Sequence, residues 1–293
     1  MRKTVNFILI LLIIACAITL FFYDIQFNTE KCDILFHSRN KNKSSYGFNC
    51  EKGFKVVRFL NGSNGVLAEQ IYSLNKYPQS DLPFKKGEKL AYDLYSAGLK
   101  TGKSVLVFHG EEELDGEQVY HISFSTESPL FKDYEEIYAE KGTFLPIKIN
   151  RRIKKIAGLS ETIEENYNQS DFSVDITKKG RLSSKTTTIK RESPIYNSIL
   201  LTYYYRANPY NASMADLKIV LPTFDFHINM SGEETIKTPA GTYNVDVFSS
   251  EPPKFTFYLS KDEDRVPVKI KSNTALNYSM VLNSKESSNK EPL

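Results

Sequence analysis

The chain has 293 residues, of which 25% are charged and 41% are hydrophobic, and its formal net charge is +3. Subtracting Arg2 and Lys3 at the extreme N-terminus leaves +1 for the rest of the chain, where basic residues occur as scattered pairs. This distribution argues against a nucleic-acid partner, which would select a basic stripe or patch.

The first 23 residues form a membrane-directed segment. Arg2 and Lys3 precede an uncharged run from Val5 to Tyr23, and Asp24 follows it. Nineteen residues in a helix span about 28 Å, close to the thickness of the hydrocarbon core of a bilayer. Cations before a spanning helix stay on the cytoplasmic side. We therefore expect a membrane-anchored protein of the cell envelope, with its C-terminal domain exported to the periplasmic side.

Three fates remain open for this segment. Ile13-Ile14-Ala15-Cys16 resembles a bacterial lipobox, which would make Cys16 a lipidation site, and Ala15-Cys16-Ala17 also matches a small-x-small cleavage site. Cleavage at either place would leave an apolar N-terminus, whereas mature exported proteins usually begin with polar residues. The sequence thus favours an uncleaved signal anchor.

Residues 24–83 read as a spacer between the anchor and the main domain. Cys32 and Cys50 are the two cysteines beyond the anchor, and they could form a disulfide worth about 3 kcal/mol in an oxidising compartment. The alternative is two unpaired, inert thiols. Residues 54–60 could form a short strand and residues 66–74 a short helix.

Residues 84–282 show the alternation of apolar and polar residues that is typical of antiparallel strands. Apolar sets recur at every second position, as in Leu90/Tyr92/Leu94, Tyr120/Ile122/Phe124, Phe224/Phe226/Ile228/Met230, Phe255/Phe257/Leu259 and Leu276/Tyr278/Met280/Leu282. Short connections rich in turn-forming residues are predicted at 110–116, 178–180, 238–241 and 261–264. Such strands predict a mainly β domain, curled into a half-barrel or barrel or stacked as a sandwich.

One amphipathic helix interrupts the strands. Its apolar residues recur at helical spacing at Ile195, Ile199, Leu200, Tyr203 and Tyr204. Ser193 is the predicted N-cap, Pro194 the first helical residue and Asn208-Pro209 the stop signal. We expect this helix to pack on the concave, apolar face of the sheet. Residues 283–293, mainly Ser, Lys, Glu and Asn, are predicted to be a disordered tail.

Several blocks of residues 84–282 resemble the DUF3108 family of exported bacterial proteins, which is named for a domain of unknown function. The blocks are Phe84-x-x-Gly87-Glu88-x-Leu90-x-Tyr92-Asp93, Gly98-x-Lys100-x-Gly102, Pro194-Ile195-Tyr196-Asn197-Ser198 with Tyr203-Tyr204-Tyr205-Arg206, Gly232-Glu233-Glu234 through Thr242-Tyr243, and Leu259-Ser260-x-Asp262 through Lys269-Ile270. Because the blocks occur in order, their combination is much more specific than any one of them.

The resemblance implies a β-rich envelope domain and assigns no reaction. More loosely, the layout is similar to the half-barrels of periplasmic lipoprotein carriers, in which a curved sheet holds lipid chains beneath a helix. Shared architecture is weak evidence of shared function, so this similarity suggests a ligand class without establishing it.

Catalytic and metal-binding patterns are not apparent in the sequence. His37, His109, His121 and His227 are far apart, and no cluster of His, Cys and carboxylate residues has the spacing of metal ligands. Gly-x-Ser-x-Gly and phosphate-binding glycine loops do not occur. We therefore assign no catalytic residue, metal or cofactor, and interpret the acidic runs at 111–113, 135–136 and 164–165 as solvated strand ends.

The helical stretch Tyr203-Tyr204-Tyr205-Arg206 is the strongest candidate for ligand contact. Tyr203 and Tyr204 could line an apolar pocket and Arg206 could meet a polar head group, although an ordinary core helix needs the same spacing. The sequence thus predicts a non-enzymatic envelope protein that binds a lipid, another amphiphile or a partner protein on a curved sheet. A structural or assembly component of the envelope and a hydrolytic enzyme are the alternatives.

Overall fold

A computed structural model of the chain describes residues 82–181, 183–208, 217–273 and 277–286, apart from the side chain of Ala157. For residues 32–40, 43–50 and 53–60 it describes the backbone strands alone. The predicted anchor with Cys16 and the predicted helix at 66–74 lie outside the described residues. Within the described part, no helix combines the length and the apolarity that crossing a membrane requires.

A small antiparallel sheet lies in the segment read as a spacer. Its strands are β1 (Cys32–Asn40), β2 (Lys43–Cys50) and β3 (Gly53–Leu60), in that order. The strand predicted at 54–60 is thus present as β3, whereas β1 and β2 were not predicted.

The register of β1 and β2 places Cys32 directly opposite Cys50. Opposed Cα atoms in antiparallel strands lie about 4.5–5.5 Å apart, within the range that a disulfide needs. The two side chains are outside the description, so the disulfide remains a prediction. Peptide mapping without reduction would test it, and finding both thiols free would contradict it.

The main domain is built on one antiparallel sheet of fourteen strands. The first eight are β4 (Glu88–Ser96), β5 (Leu99–Leu114), β6 (Glu117–Glu127), β7 (Phe131–Glu140), β8 (Pro146–Lys155), β9 (Ser160–Asn168), β10 (Ser173–Lys179) and β11 (Ser184–Lys190). The last six are β12 (Leu217–Val220), β13 (Asp225–Thr238), β14 (Gly241–Glu251), β15 (Phe255–Ser260), β16 (Pro267–Ser272) and β17 (Tyr278–Glu286). A single 3₁₀ turn, Ile156–Gly158, separates β8 from β9.

The sheet consists of two meanders joined edge to edge. Strands β4 to β11 follow one another in space as they do in sequence, and so do β12 to β17. The two runs meet where β17 pairs antiparallel with β4, which leaves β11 and β12 as the outer strands. The predicted antiparallel β architecture is confirmed, and among the described strands the sheet is open rather than a closed barrel.

The turn predicted at 110–116 is wrong in extent. Strand β5 continues to Leu114 and absorbs Gly110 as a bulge, and the actual turn is Asp115-Gly116, with φ of 54° and 88°. Gly110 has a φ of +92°, a conformation that favours glycine, and an added Cβ would lie 3.0 Å from the Lys86 side chain, which would have to move slightly. The turn predicted at 261–264 falls between β15 and β16, and the one at 238–241 is centred on the two residues between β13 and β14. The turn predicted at 178–180 is too early, because β10 continues to Lys179.

The predicted start of the C-terminal tail is four residues too early. Strand β17 extends to Glu286, because Ser284, Lys285 and Glu286 pair with the first residues of β4. Ser284 and Lys285 are partly buried and Glu286 is exposed, so the polar composition of this stretch does not prevent it from forming a strand. Residues 287–293 lie outside the described part.

Helix α1 (Ser198–Ala207) begins later than predicted. Asn197, not Ser193, is the N-cap, and its side-chain oxygen accepts hydrogen bonds from the backbone N–H groups of Ile199 and Leu200. Residues 193–196 cannot join the helix because Ile195 bridges to Val220 of β12 and the Tyr196 N–H donates to the Val220 carbonyl. The predicted end is confirmed, since α1 stops before Asn208.

A buried ion pair fixes α1 inside the curved sheet. The Arg206 guanidinium donates to both carboxylate oxygens of Glu88, at the start of β4, over 2.6 and 2.9 Å, and it also donates to the carbonyl of Asp264. The side chains of Arg206 and Glu88 are 0% and 3% exposed. The guanidinium also lies over the ring of Phe84, 4.6 Å from its centre. All three contacts lie at the C-terminal end of α1, so they set its position against both meanders.

Glu88→Gln should destabilise the domain by about 3–5 kcal/mol, because it leaves a buried guanidinium without its countercharge. The double variant Glu88→Gln/Arg206→Met should recover part of this loss, since no unpaired charge then remains. The matched control is Lys89→Met, which breaks the exposed pair between Lys89 and Glu286 and should cost at most about 1 kcal/mol. Equilibrium urea unfolding of the full chain measures all three, and equal losses for Glu88→Gln and Lys89→Met would contradict the assignment.

Candidate ligand-binding cavity

A cavity of about 550 Å³ lies between α1 and the concave face of the sheet. Residues from β4 to β11 and from β13 to β17 line it together with the first turns of α1. Small-molecule sites in proteins commonly have volumes of roughly 300–1,000 Å³. The space is therefore large enough to hold a ligand.

One wall of the cavity is aromatic and apolar. Phe226, in β13, lies 5.6 Å from Phe255, in β15, between ring centres, and Phe224 lies 5.8 Å from Phe226. Phe257 and Ile270 continue this surface along the later meander. Aromatic rings in such pairs provide a large apolar contact area, so this wall suits a hydrocarbon chain.

A second wall of the cavity carries a cluster of charged side chains on the earlier meander. Arg151 of β8 donates to both carboxylate oxygens of Asp133 on β7, and its Nε lies 3.3 Å from a carboxylate oxygen of Glu135. The Tyr167 hydroxyl donates to Glu165 over 2.6 Å on β9. All five side chains line the cavity. Charges in so apolar a space require such partners.

Burial alters the protonation of the acidic groups in this cluster. It raises the pKa of Glu135 to about 7, with Asp133 and Glu165 adding to the effect and Arg151 opposing it. Burial also raises the pKa of Glu165. The cavity wall can therefore gain or lose protons near neutral pH.

Strands that are far apart in the sheet order come together at the cavity. Strand β17 is five positions from β8 in the sheet, about 24 Å along its surface at normal strand spacing. Burial is the main cause that raises the pKa of Tyr278 on β17. The charges of Arg151 on β8 and Glu135 on β7 nevertheless also act on this pKa. Only a strongly curved sheet brings these side chains within electrostatic reach of each other.

The predicted ligand-contact residues lie on the packed side of α1. Tyr203 is 1% exposed and its ring centre lies 5.0 Å from that of Phe84 and 5.8 Å from that of Phe108. Tyr204 is 2% exposed and Arg206 is bound to Glu88. Among the described residues that line the cavity, α1 contributes a different face: Ser198, Ile199, Leu201 and Thr202.

The reading of two acidic pairs as solvated strand ends is wrong for one member of each pair. Glu135 is 9% exposed, and both Glu135 and Glu165 face the cavity, while Glu136 and Glu164 face outwards. The alternation did carry this signal, because Glu135 has the same parity as the buried Ile137. Because a charged residue stands at an inward-facing position in each strand, that face does not look apolar in the sequence. The acidic run at 111–113 is exposed, as predicted.

Two of the histidines that are far apart in sequence come together on the outer face. The rings of His109 and His121 stack with their centres 4.4 Å apart, and His121 pairs with Glu112. No group of three His, Cys, Asp or Glu side chains within the described residues could hold a metal ion. The two histidines therefore form a ring contact between β5 and β6 on the outer face.

Within the part of the chain that the structure describes, the domain is a curved, open antiparallel sheet wrapped around one α-helix. The family described as "Protein of unknown function (DUF3108)" matches residues 91–283. The chain therefore belongs to the DUF3108 family, as the sequence blocks predicted. No curated protein matches the chain.

Three solved structures show distant similarity in fold. A β-barrel-like protein of the DUF1849 domain of unknown function from Brucella abortus is 8% identical, with a TM-score of 0.43, covering 71% of this chain and 100% of that one. A protein described as exported, with a YmcC-like fold, from Bacteroides fragilis is 12% identical, with a TM-score of 0.30 and coverages of 70% and 98%. A protein described as a lipoprotein, from Parabacteroides distasonis, is 13% identical, with a TM-score of 0.28 and the same coverages. These similarities are too low to transfer a function.

The raised pKa of Glu135 makes the stability of the domain depend on pH. A free glutamate titrates near 4.5 and Glu135 near 7, so the folded state keeps a proton that the unfolded chain releases between these values. Stability should therefore fall as pH rises from about 4.5 to 7, by up to about 1.4 kcal/mol per pH unit from this group.

The glutamine side chain in Glu135→Gln cannot ionise. The unfolding free energy of this variant should therefore fall less steeply between pH 4.5 and 7 than that of the natural chain. Glu136→Gln, the same change on the outer face of β7, is the matched control and should keep the natural slope. Urea unfolding at several pH values measures the difference. Parallel curves for the natural chain and Glu135→Gln would show that Glu135 does not carry the effect.

Proposed function

We propose that this domain is a non-catalytic binding module of the cell envelope that holds a lipid or another amphiphile in the cavity beneath α1. The observation that carries the proposal is the cavity itself, which joins an aromatic wall on the later meander to a charged wall on the earlier one. An amphiphile presents the same two chemistries in one molecule. A sheet that served only as a scaffold would be expected to fill this space with its own side chains.

Binding is favoured over hydrolysis by the state of the polar groups in the cavity. Asp133 and Glu135 are held by Arg151, and Glu165 accepts a hydrogen bond from Tyr167. No histidine or cysteine is among the described residues that line the cavity, so a nucleophile with an adjacent imidazole base is not formed there.

The envelope location rests on the N-terminal sequence. The uncharged run from Val5 to Tyr23 behind Arg2 and Lys3 supports an anchor that leaves the domain on the exported side. A module held close to a membrane would encounter amphiphiles at high local concentration. A reporter enzyme fused after Leu293 should show activity in the exported compartment and none in the cytoplasm. Reporter activity in the cytoplasm would refute this orientation.

Filling the cavity should remove the ligand without harming the fold. Leu94 lines the cavity, whereas Leu99, in the next strand of the same hairpin, is 67% exposed and outside it. Leu94→Trp should therefore reduce the lipid that purifies with the full chain several-fold, while Leu99→Trp should leave it unchanged. Native mass spectrometry of protein taken from its own envelope measures the bound lipid.

Thermal unfolding separates an empty cavity from a packed core. If the space is empty, Leu94→Trp should leave stability nearly unchanged, whereas overpacking a filled core would cost about 1–3 kcal/mol. The chain has no natural tryptophan, so each variant also reports the polarity around its single indole by fluorescence. Equal lipid in both variants, or no lipid with the natural chain, would refute the proposed function.

A further inference from the structure

Among the described residues, three large apolar side chains are exposed at one end of the sheet. Leu99 is 67% exposed, Ile156 56% and Leu159 57%. Leu99 is the first residue of β5, and the other two lie in the turn after β8, three strand positions away and about 14 Å at normal strand spacing. In a meander the turns after β4, β6 and β8 lie at the same end. This end, with turns at 97–98, 128–130 and 156–159, is the tip end of the sheet.

Backbone hydrogen bonds hold these tips in defined positions. The Lys155 N–H donates to the Leu159 carbonyl over 2.7 Å, which closes the β8–β9 turn. The Ile156 N–H donates to the Leu130 carbonyl of the neighbouring β6–β7 turn over 3.1 Å. The apolar side chains are therefore exposed on ordered turns. Exposed apolar groups that cluster mark surfaces that contact a partner or a membrane.

The cavity reaches the surface at the same end. The register aligns four strand ends across the junction of the two meanders: Ser96 with Tyr278, Tyr278 with Ser272, and Ser272 with Phe255. Ser96, Tyr278 and Phe255 all line the cavity and are partly exposed. At the other end of the sheet, Phe144 and the last turn of α1 are buried in the core. An amphiphile that enters or leaves the cavity would therefore pass the tips.

The tip end carries an excess of basic side chains. Three of its lysines are in ion pairs, Lys100 with Asp93, Lys132 with Glu127 and Lys155 with Glu161. Outside these pairs, one exposed acid, Glu251, lies in the last strand position before the β14–β15 turn. The exposed cations at this end that are outside these pairs include Lys103, Lys154, Lys179 and Arg181.

The opposite end of the sheet is acidic. Exposed carboxylates surround the β5–β6 turn and fill the β15–β16 connection: Glu111, Glu112, Glu113, Asp115, Glu117, Asp262, Glu263 and Asp264. Lys141 pairs with Glu111 and Lys285 with Asp264, which leaves most of this acidic excess. An anionic membrane surface attracts basic groups and repels acidic ones, so this distribution orients the tip end towards such a surface.

We propose that the tip end is a membrane-docking surface, on which Leu99, Ile156 and Leu159 enter the interface of an anionic bilayer and the surrounding cations bind its head groups. A second copy of the chain fits this surface less well, because two tip ends facing each other would bring their cations together. The inference goes beyond the proposed function, since it concerns a surface outside the cavity. Docking in this orientation places the cavity entrance at the bilayer.

Single-tryptophan variants can locate the tips relative to a bilayer, because the chain has no natural tryptophan. Leu99→Trp and Leu159→Trp place an indole at two tips, and Gln118→Trp places one at an exposed position beside the β5–β6 turn, at the opposite end. Each full chain is reconstituted into nanodiscs of phosphatidylcholine and phosphatidylglycerol with brominated acyl chains. Fluorescence of both tip variants should be quenched at least about twofold, since interfacial side chains lie about 5–10 Å deep, and that of Gln118→Trp should change little.

The charge of the surface should control this quenching. Replacing phosphatidylglycerol by phosphatidylcholine at equal bromine content, or adding salt, should weaken it, because both reduce the attraction between the cations and the bilayer. Lys154→Glu combined with Leu159→Trp should weaken it as well. The matched control is Lys237→Glu, which makes the same charge change near the opposite end and should have no effect. Salt would not release a brominated lipid held inside the cavity, so the salt response separates docking from quenching by a bound ligand.

The outcomes distinguish this inference from the proposed function. Tips that are not quenched, that are quenched no more than Gln118→Trp, or whose quenching ignores salt would overturn the docking surface and leave the binding cavity untouched. Tip emission that shifts to the blue with protein concentration, without quenching by bromine, would place a second copy on the tips and would also overturn it. Salt-sensitive tip quenching in a chain that purifies without lipid would support docking and refute the proposed function alone.

Discussion

The buried ion pair between Arg206 and Glu88 constrains the rest of this domain. A guanidinium removed from water is tolerated only where its hydrogen bonds are matched, and here one carboxylate, one carbonyl and one aromatic ring surround it. These partners come from the start of β4, the β15–β16 connection and the segment before β4. The last turn of α1 therefore has essentially one position relative to both meanders.

Fixing α1 in this way divides the interior of the curved sheet into two parts. On one side Tyr203 packs with Phe84, Phe108 and Phe144, with ring centres 5.0 to 6.1 Å from its own. On the other side the shorter residues Ile199 and Thr202 leave open space. The face of α1 with bulky side chains therefore packs in the core, and the face with shorter side chains lines the cavity.

The charged wall shows how this sheet accommodates ionic groups beside an apolar space. Asp133, Glu135 and Arg151 occupy adjacent strands, where the register brings them into contact without distorting the backbone. Raising the pKa of Glu135 lowers the cost of burying it, because the neutral form is then available near pH 7. A cavity built in this way can respond electrostatically to whatever enters it, which a purely apolar pocket could not do.

Alternation, turn chemistry and ordered sequence blocks were sufficient to determine the strand-rich architecture, the antiparallel pairing, the helix with its end at Asn208 and the DUF3108 family. These properties depend on residues near one another in the chain. The start of α1 was missed because Ile195 is held by Val220, a contact over 25 positions, and no local pattern records it. The cavity-facing roles of Glu135, Glu165, Lys178 and Lys185 were missed for a related reason. Period-two alternation tells which residues share a face, but only the curvature of the whole sheet decides whether that face meets packed side chains, open space or water.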